Sequence, residues 1–259
     1  MNETNPNASP VPPQIPTGTP PSSYPPRVQL GEIPEERETI AGLAAAIESI
    51  LRQPRRVMFQ LRQPGAGKLI AAMLFIAVVC SLIYGVIVGS FSGGVQWWAA
   101  PVKISCGLLI SAIICLPSLY IFACLSGSQA RLVEIFGLVA GLLMLMMLLL
   151  IGFAPVAWLF SQSTESLPWM GFLHLLFWLI ATVFGVRFLS AGFAHSNARS
   201  SAGLRTWIVI FVLVMLQMST ALRPIVGTAD TRLPTEKKFF VSHWFDCIDK
   251  ADKKSRSND

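Results

Sequence analysis

Charge is what this chain has least of. Only 13% of its 259 residues are Asp, Glu, Lys or Arg, while 53% are hydrophobic. A soluble domain carries roughly 25% charged residues, so most of this chain lacks the charge to solvate an ordinary surface. Between Arg131 and Arg187 only Glu134 and Glu165 are charged. The groups that catalysis would need are scarce as well. Intramembrane hydrolysis calls for paired aspartates, a serine beside a histidine or lysine, or an H-E-x-x-H zinc site, and the apolar blocks hold none of these. The five cysteines form no C-x-x-C pair, which argues against a redox or metal framework. Cys80, Cys106, Cys115 and Cys124 fall inside apolar runs, where buried structural thiols are expected. No catalytic group, metal or cofactor is expected, and the chain reads as a non-enzyme.

The net charge of +6 belongs to the segments outside the apolar blocks. It reads as attraction to anionic lipid headgroups rather than to nucleic acid. No apolar run long enough to span precedes Lys68, so a cleavable signal peptide is not expected.

What is present divides the chain into four parts. Residues 1–33 are a proline-rich tail, and residues 1–30 hold half of all the prolines. With so little apolar surface, this stretch is expected to stay disordered with polyproline II character. Residues 34–66 form an amphipathic, interfacial segment. Glu35, Glu36 and Glu38 suit the start of a helix and Arg52 its end, and Ile40, Leu43, Ala44, Ile47, Ile50 and Leu51 recur at three- and four-residue steps. The spacing predicts one helix over 35–52, closed by Gln53-Pro54. Its apolar residues Ile40, Leu43, Ile47 and Leu51 are expected to contact either the membrane interface or a protein partner.

The stretch LRQPRRVMFQLRQPGAGKLI repeats four letters and ends in Gly-Ala-Gly-Lys. A phosphate-binding loop would need glycine where Arg62 stands and a hydroxyl where Leu69 stands, so this is not one. Arg52, Arg55, Arg56, Arg62 and Lys68 instead make a basic collar ahead of the first span, which predicts a cytoplasmic N-terminus.

Residues 67–227 hold five apolar blocks, at 69–91, 102–125, 132–160, 169–190 and 206–222, each near the ~20 residues that cross a bilayer. The expected fold is therefore an all-α polytopic transmembrane helix bundle. Trp97, Trp98, Trp158, Trp169 and Trp207 stand at block ends, as interfacial belts require. In the first block Ala77, Ser81, Gly85, Gly89 and Gly93 recur every fourth residue, and Gly137 and Gly141 repeat the spacing in the third. Small residues so placed let helix backbones approach closely, either within this chain or across a homo-oligomer seam. The polar residues within the spans are His174, Gln217 and Arg187, and Pro117 is expected to free a backbone carbonyl. Residues 228–259 end in KKFFVSHWFDCIDK, where Phe239, Phe240, Trp244 and Phe245 predict a short interfacial helix.

The order LRQP, YGVIVGSFSGG, APVKISCGLLISAIICLPSLYIFACLSG, APVAWLFS and QMSTALRPIVG resembles a bacterial family of polytopic, five-span integral membrane proteins over about residues 50–227, and a bacterial inner membrane is the expected location. In general topology the chain is also similar to the Yip1-type membrane proteins. The resemblance implies a multi-pass protein and carries over no catalytic residue. Two functions follow as expectations. One is a non-catalytic membrane subunit or scaffold in contact with the bilayer and a protein partner. The other is a small transporter or channel whose pathway passes His174, Gln217 and Pro117. A lipid-handling role has no specific residue behind it.

Overall fold

The computed structural model describes residues 29–92, 96–163, 167–196 and 202–221. These form eight helices and, among the described residues, no strand. Three are short: α1 (Pro34–Arg37), α2 (Leu43–Arg52) and α3 (Pro54–Leu61). Five are long: α4 (Gly67–Ser92), α5 (Gln96–Leu125), α6 (Leu132–Ser163), α7 (Leu167–Ala194) and α8 (Ala202–Ala221). In hydrocarbon, no water is available to satisfy a backbone N–H or C=O, so an apolar segment that crosses must pair its own backbone as a helix. Four helices, α4 to α7, are long and apolar enough to cross a membrane. The fifth, α8, is apolar over the shorter stretch Ala202–Met218. The chain is an all-α membrane helix bundle.

The long helices pack in the order α8, α5, α4, α6, α7 rather than in chain order. In α6, 67% of the most apolar stretch is buried, against 33–39% in the other three spans. Its run of Leu and Met side chains, Leu142 to Met147, none of them branched at Cβ, is nearly free of solvent contact. Small residues set the distances. A side chain at Gly85 of α4 would collide with the backbone of Pro101 in α5. At Gly141 of α6 a Cβ would lie 2.6 Å from the Phe188 ring of α7 and 3.6 Å from Ile50 of α2.

The repeated LRQP is a helix-stop device used twice. The first copy ends α2 at Arg52 and places Pro54 at the start of α3, where its missing N–H costs nothing. The second copy ends α3 at Leu61 and turns through Gly65 into α4. The two stops fold α2 and α3 into a hairpin whose Ala46, Ile50, Val57, Met58 and Leu61 join the same core cluster as the spans. This cap lies at one end of the bundle, beside the first turns of α4 and α6 and the last turns of α7.

Several expectations change here. The single helix over 35–52 is broken between α1 and α2. The Gln60 side chain donates to the Glu38 carbonyl and accepts from the Ile40 N–H at 3.0 Å. Gly42 then turns the chain with φ +90. The inward residues of α2 are Ala46, Ser49 and Ile50, while Ile40 and Ile47 are half-buried and Leu43 and Leu51 are exposed. The second span starts at Trp97, ahead of Pro101 and Lys103, because a proline near a helix start orphans only a terminal carbonyl. Of the thiols expected to be buried, only Cys115 is; Cys106 and Cys124 face outward. Residues 1–28 of the proline-rich tail, Gly93 and the C-terminal Phe239, Phe240, Trp244 and Phe245 lie outside the described residues, while Gly31, expected in the disordered tail, is held by Glu36 and Arg37.

The α4–α5 contact yields a test. Gly85→Ala forces a methyl into the Pro101 backbone and is expected to cost about 1–3 kcal/mol. Gly152→Ala meets nothing within 4 Å and is expected to leave thermal stability in detergent unchanged or slightly raised. Equal melting temperatures for the two variants would show that the approach at Gly85 does not hold the helices together.

Candidate functional site

Two polar systems stand out, one inside the bundle and one in the cap. Inside, His174 lies seven residues into α7, and its Nδ1 is 2.8 Å from the Tyr84 hydroxyl of α4. The two rings meet edge to face at 5.8 Å. The His174 Nε2 is buried and has no partner. On the neighbouring face of α4, the Ser81 hydroxyl donates to its own Val78 carbonyl at 2.8 Å. Its single proton is thereby used, so the Ser105 hydroxyl of α5 donates to Ser81 at 2.7 Å.

Pro117 lies within α5 without ending it. Two residues before it, the Cys115 carbonyl accepts hydrogen bonds at 2.8 Å from both the Ser118 hydroxyl and the Trp207 indole of α8. Trp207 is fully buried and stacked on Phe211 at 5.0 Å. It is an anchor of α8 rather than part of an interfacial belt, because its N–H finds a partner one helix away. Trp97, Trp98, Trp158 and Trp169 do face outward.

The intramembrane polar residues read from the sequence do not converge. His174 is near the end of the bundle remote from the cap, and Pro117 is eight residues from the cap end of α5. Gln217 is exposed on α8. Arg187 is exposed on α7, with its guanidinium 6.0 Å from the Phe184 ring centre. The small-residue positions separate by partner. Ala77, Ser81, Gly85 and Gly89 are buried on α4, with Ser81 and Gly85 against α5. Gly137 receives Leu61 of α3, and Gly141 receives Phe188 and Ile50. Gly185 and Gly192 of α7, seated against Met146 and Leu138 of α6, were missed. Their seven-residue spacing was the available signal. Tyr84 and Ser105 were missed as partners because nothing local ties them to residues 90 and 24 positions away.

The cap system is ionic. The Glu36 carboxylate is buried, accepts the Gly31 N–H at 2.6 Å and pairs with Arg55 Nε at 2.5 Å. Arg37 Nε donates to the Gly31 carbonyl at 2.7 Å, and Arg56 pairs with Glu38 at 3.4 Å. Glu134 of α6 lies 2.9 Å from Arg131 and 3.9 Å from Arg62, and Arg131 also donates to the Arg62 carbonyl at 2.6 Å. These bonds tie α1 to α3 and α3 to α6. Burial pushes the Glu36 carboxyl up. The Gly31 amide, the hydrogen bond and charge of Arg55 and the charge of His195 outweigh burial and hold it below its ordinary 4.5.

Among the described residues no three His, Cys, Asp or Glu side chains gather to hold a metal. Fold and site together define a multi-pass membrane protein with a helical, ionically fastened cap. No protein-family model, curated protein or solved structure matches the chain.

A lowered carboxyl stabilises the fold above its unfolded value, and that contribution is lost as pH falls through the folded value. The protection of residues 31–40 against hydrogen exchange, taken relative to the unstructured chain at the same pH, is therefore expected to fall once pH drops below about 4.5. In Glu36→Gln, which removes the carboxylate charge that faces Arg55, the segment is expected to open already at neutral pH by about 1–3 kcal/mol. Protection in the native chain that does not change with acid would exclude the latch. Inside the bundle, a double-mutant cycle on Tyr84→Phe and His174→Leu is expected to give a coupling of about 0.5–1.5 kcal/mol. Additive losses would mean that the pair does not join α4 to α7.

Proposed function

We propose that this protein is a non-catalytic membrane subunit or scaffold that presents its cap to a protein partner. In this reading it belongs to a bacterial inner membrane, with the cap on the cytoplasmic face. The observation that carries the reading is that the cap is part of the core. Ala46, Ile50, Val57, Met58 and Leu61 are each no more than 3% exposed; the Glu36–Arg55 pair fastens α1 to α3, and the contacts of Arg62 with Glu134 and Arg131 fasten the end of α3 to the start of α6. A cap so held is a rigid platform with a fixed orientation to the bilayer, as a docking surface requires.

The cytoplasmic assignment rests on charge. Arg52, Arg55, Arg56, Arg62, Lys68, Arg131 and Arg205 all lie at the cap end or its flanks, and positive residues concentrate on the cytoplasmic side of spans. The transporter reading has less behind it. A pathway needs polar groups that line one route, whereas His174 and Pro117 are at opposite ends of the bundle and Gln217 faces outward.

The test is purification of the full chain from native membranes in mild detergent. The expected result is a protein partner at fixed stoichiometry that is lost from Glu48→Ala/Arg52→Ala, a change confined to the outer face of the cap. A lone monomer or homo-oligomer would overturn the proposal. Flux assays on His174→Leu and Gln217→Leu would then be decisive for the transporter.

A further inference from the structure

Helix α2 has more apolar surface than the bundle covers. With 3.6 residues per turn, Ser49, Ala46 and Ile50 occupy one arc about 100° wide, and all three are buried. The next arc, of about the same width, holds Leu43, Ile47, Leu51 and Ala44; Leu43 and Leu51 are 45% and 50% exposed. Glu48 and Arg52, paired with each other at 3.1 Å, make the third face. The three faces point roughly 120° apart, as they would where protein, hydrocarbon and water meet.

The depth of α2 supports that junction. On α7 the outward Trp169 and the outward Arg187 are eighteen residues apart, about 27 Å of helix. On α6, Gly141 and the outward Trp158 are seventeen residues apart, about 26 Å. Both spacings approach the ~30 Å hydrocarbon thickness, with the tryptophans as the belt at the remote interface. The other interface therefore lies at the level of Gly141 and Arg187. Ile50 of α2 packs on Gly141, which places α2 at that level. Phe75 of α4, eight residues from the cap end of its helix, faces outward nearby in depth. A protein-binding hot spot is usually built on Trp, Tyr or Arg, and the open arc contains only aliphatic side chains.

We infer that α2 lies in the plane of the membrane as an interfacial helix, with Leu43, Ile47 and Leu51 inserted among the acyl chains of the adjoining phospholipid leaflet. The Glu48–Arg52 face points to headgroups and water. The cap is thus anchored twice, to the bundle through Ala46 and Ile50 and to the leaflet through the open arc. This goes beyond the proposed subunit role, which concerns the outer face of the cap.

The test places the photocrosslinker p-benzoylphenylalanine at Leu43, Leu51, Glu48 and Ile113 in turn, in the full chain in its own membranes. Ile113 is 66% exposed on α5 and serves as the lipid-facing reference. After irradiation, positions 43 and 51 are expected to gain the mass of one phospholipid, as position 113 does, and position 48 is not. A protein adduct at 43 or 51 would assign the arc to a partner and overturn the inference. Absence of any adduct at both, with lipid captured at 113, would assign it to water and overturn it equally. If a labelled chain does not elute as one species, the same label at Ile47 replaces it.

Discussion

Spans surrounded by hydrocarbon gain nothing by touching one another simply because they are apolar; lipid tails are as apolar as leucine. Close packing must supply the attraction, and in this chain it is concentrated on α6. Between Ile135 and Ala157 that helix carries no polar side chain, yet it is the most buried of the spans. Its contacts rest on shape. Gly137 and Gly141 are hollows for Leu61, Phe188 and Ile50, and its own Leu138 and Met146 fill hollows at Gly192 and Gly185 of α7. Each large side chain opposite a glycine brings two helices within the range where dispersion contacts add up.

The same hollows explain why the cap belongs to the domain rather than to its periphery. Leu61 descends from α3 into the hollow at Gly137 of α6, and Ile50 of α2 shares the hollow at Gly141 with Phe188 of α7. The ionic contacts then work at the margin. Glu134 joins Arg62 to Arg131 where α3 meets α6, and Glu36 holds Arg55 and the Gly31 amide where the chain enters α1. Gly31 has φ +90, and a side chain there would lie 2.5 Å from the Phe59 ring. A glycine is needed both for the turn and for the approach of that ring.

The helical class, the spans and the helix stops were legible because they depend on local composition. LRQP ends a helix wherever it occurs, since its proline restricts the residue before it. The small-residue stripe was legible as a packing face for the same reason. The packing order α8, α5, α4, α6, α7 was not, because helices that are apolar all round carry no stripe that points to a neighbour. The break between α1 and α2 was hidden for a different reason. Residues 35–52 have helical periodicity, and what interrupts them is Gln60, whose amide takes the backbone groups of Glu38 and Ile40. Trp207 looked like a belt residue because its partner, the Cys115 carbonyl, is 92 positions away.

The polar contacts inside the bundle complete this division of labour. Ser105–Ser81 joins α5 to α4, Tyr84–His174 joins α4 to α7, and Trp207 joins α8 to the Cys115 carbonyl of α5. Each bond links a different pair of helices, and none involves α6. In an apolar medium such bonds are individually modest, about 0.6 kcal/mol on average in a measured membrane bundle, so they add little to what packing already supplies. Their effect is on register. Sliding one helix past another by a single turn would leave a hydroxyl, an imidazole or an indole N–H without a partner in hydrocarbon, while apolar knobs can find new hollows at small cost. Tyr84–His174 also connects α4 with α7, two helices separated by α6 in the packing order. The row must therefore bend around α6. Shape holds that central helix, and the polar bonds on either side of it select the arrangement of the others.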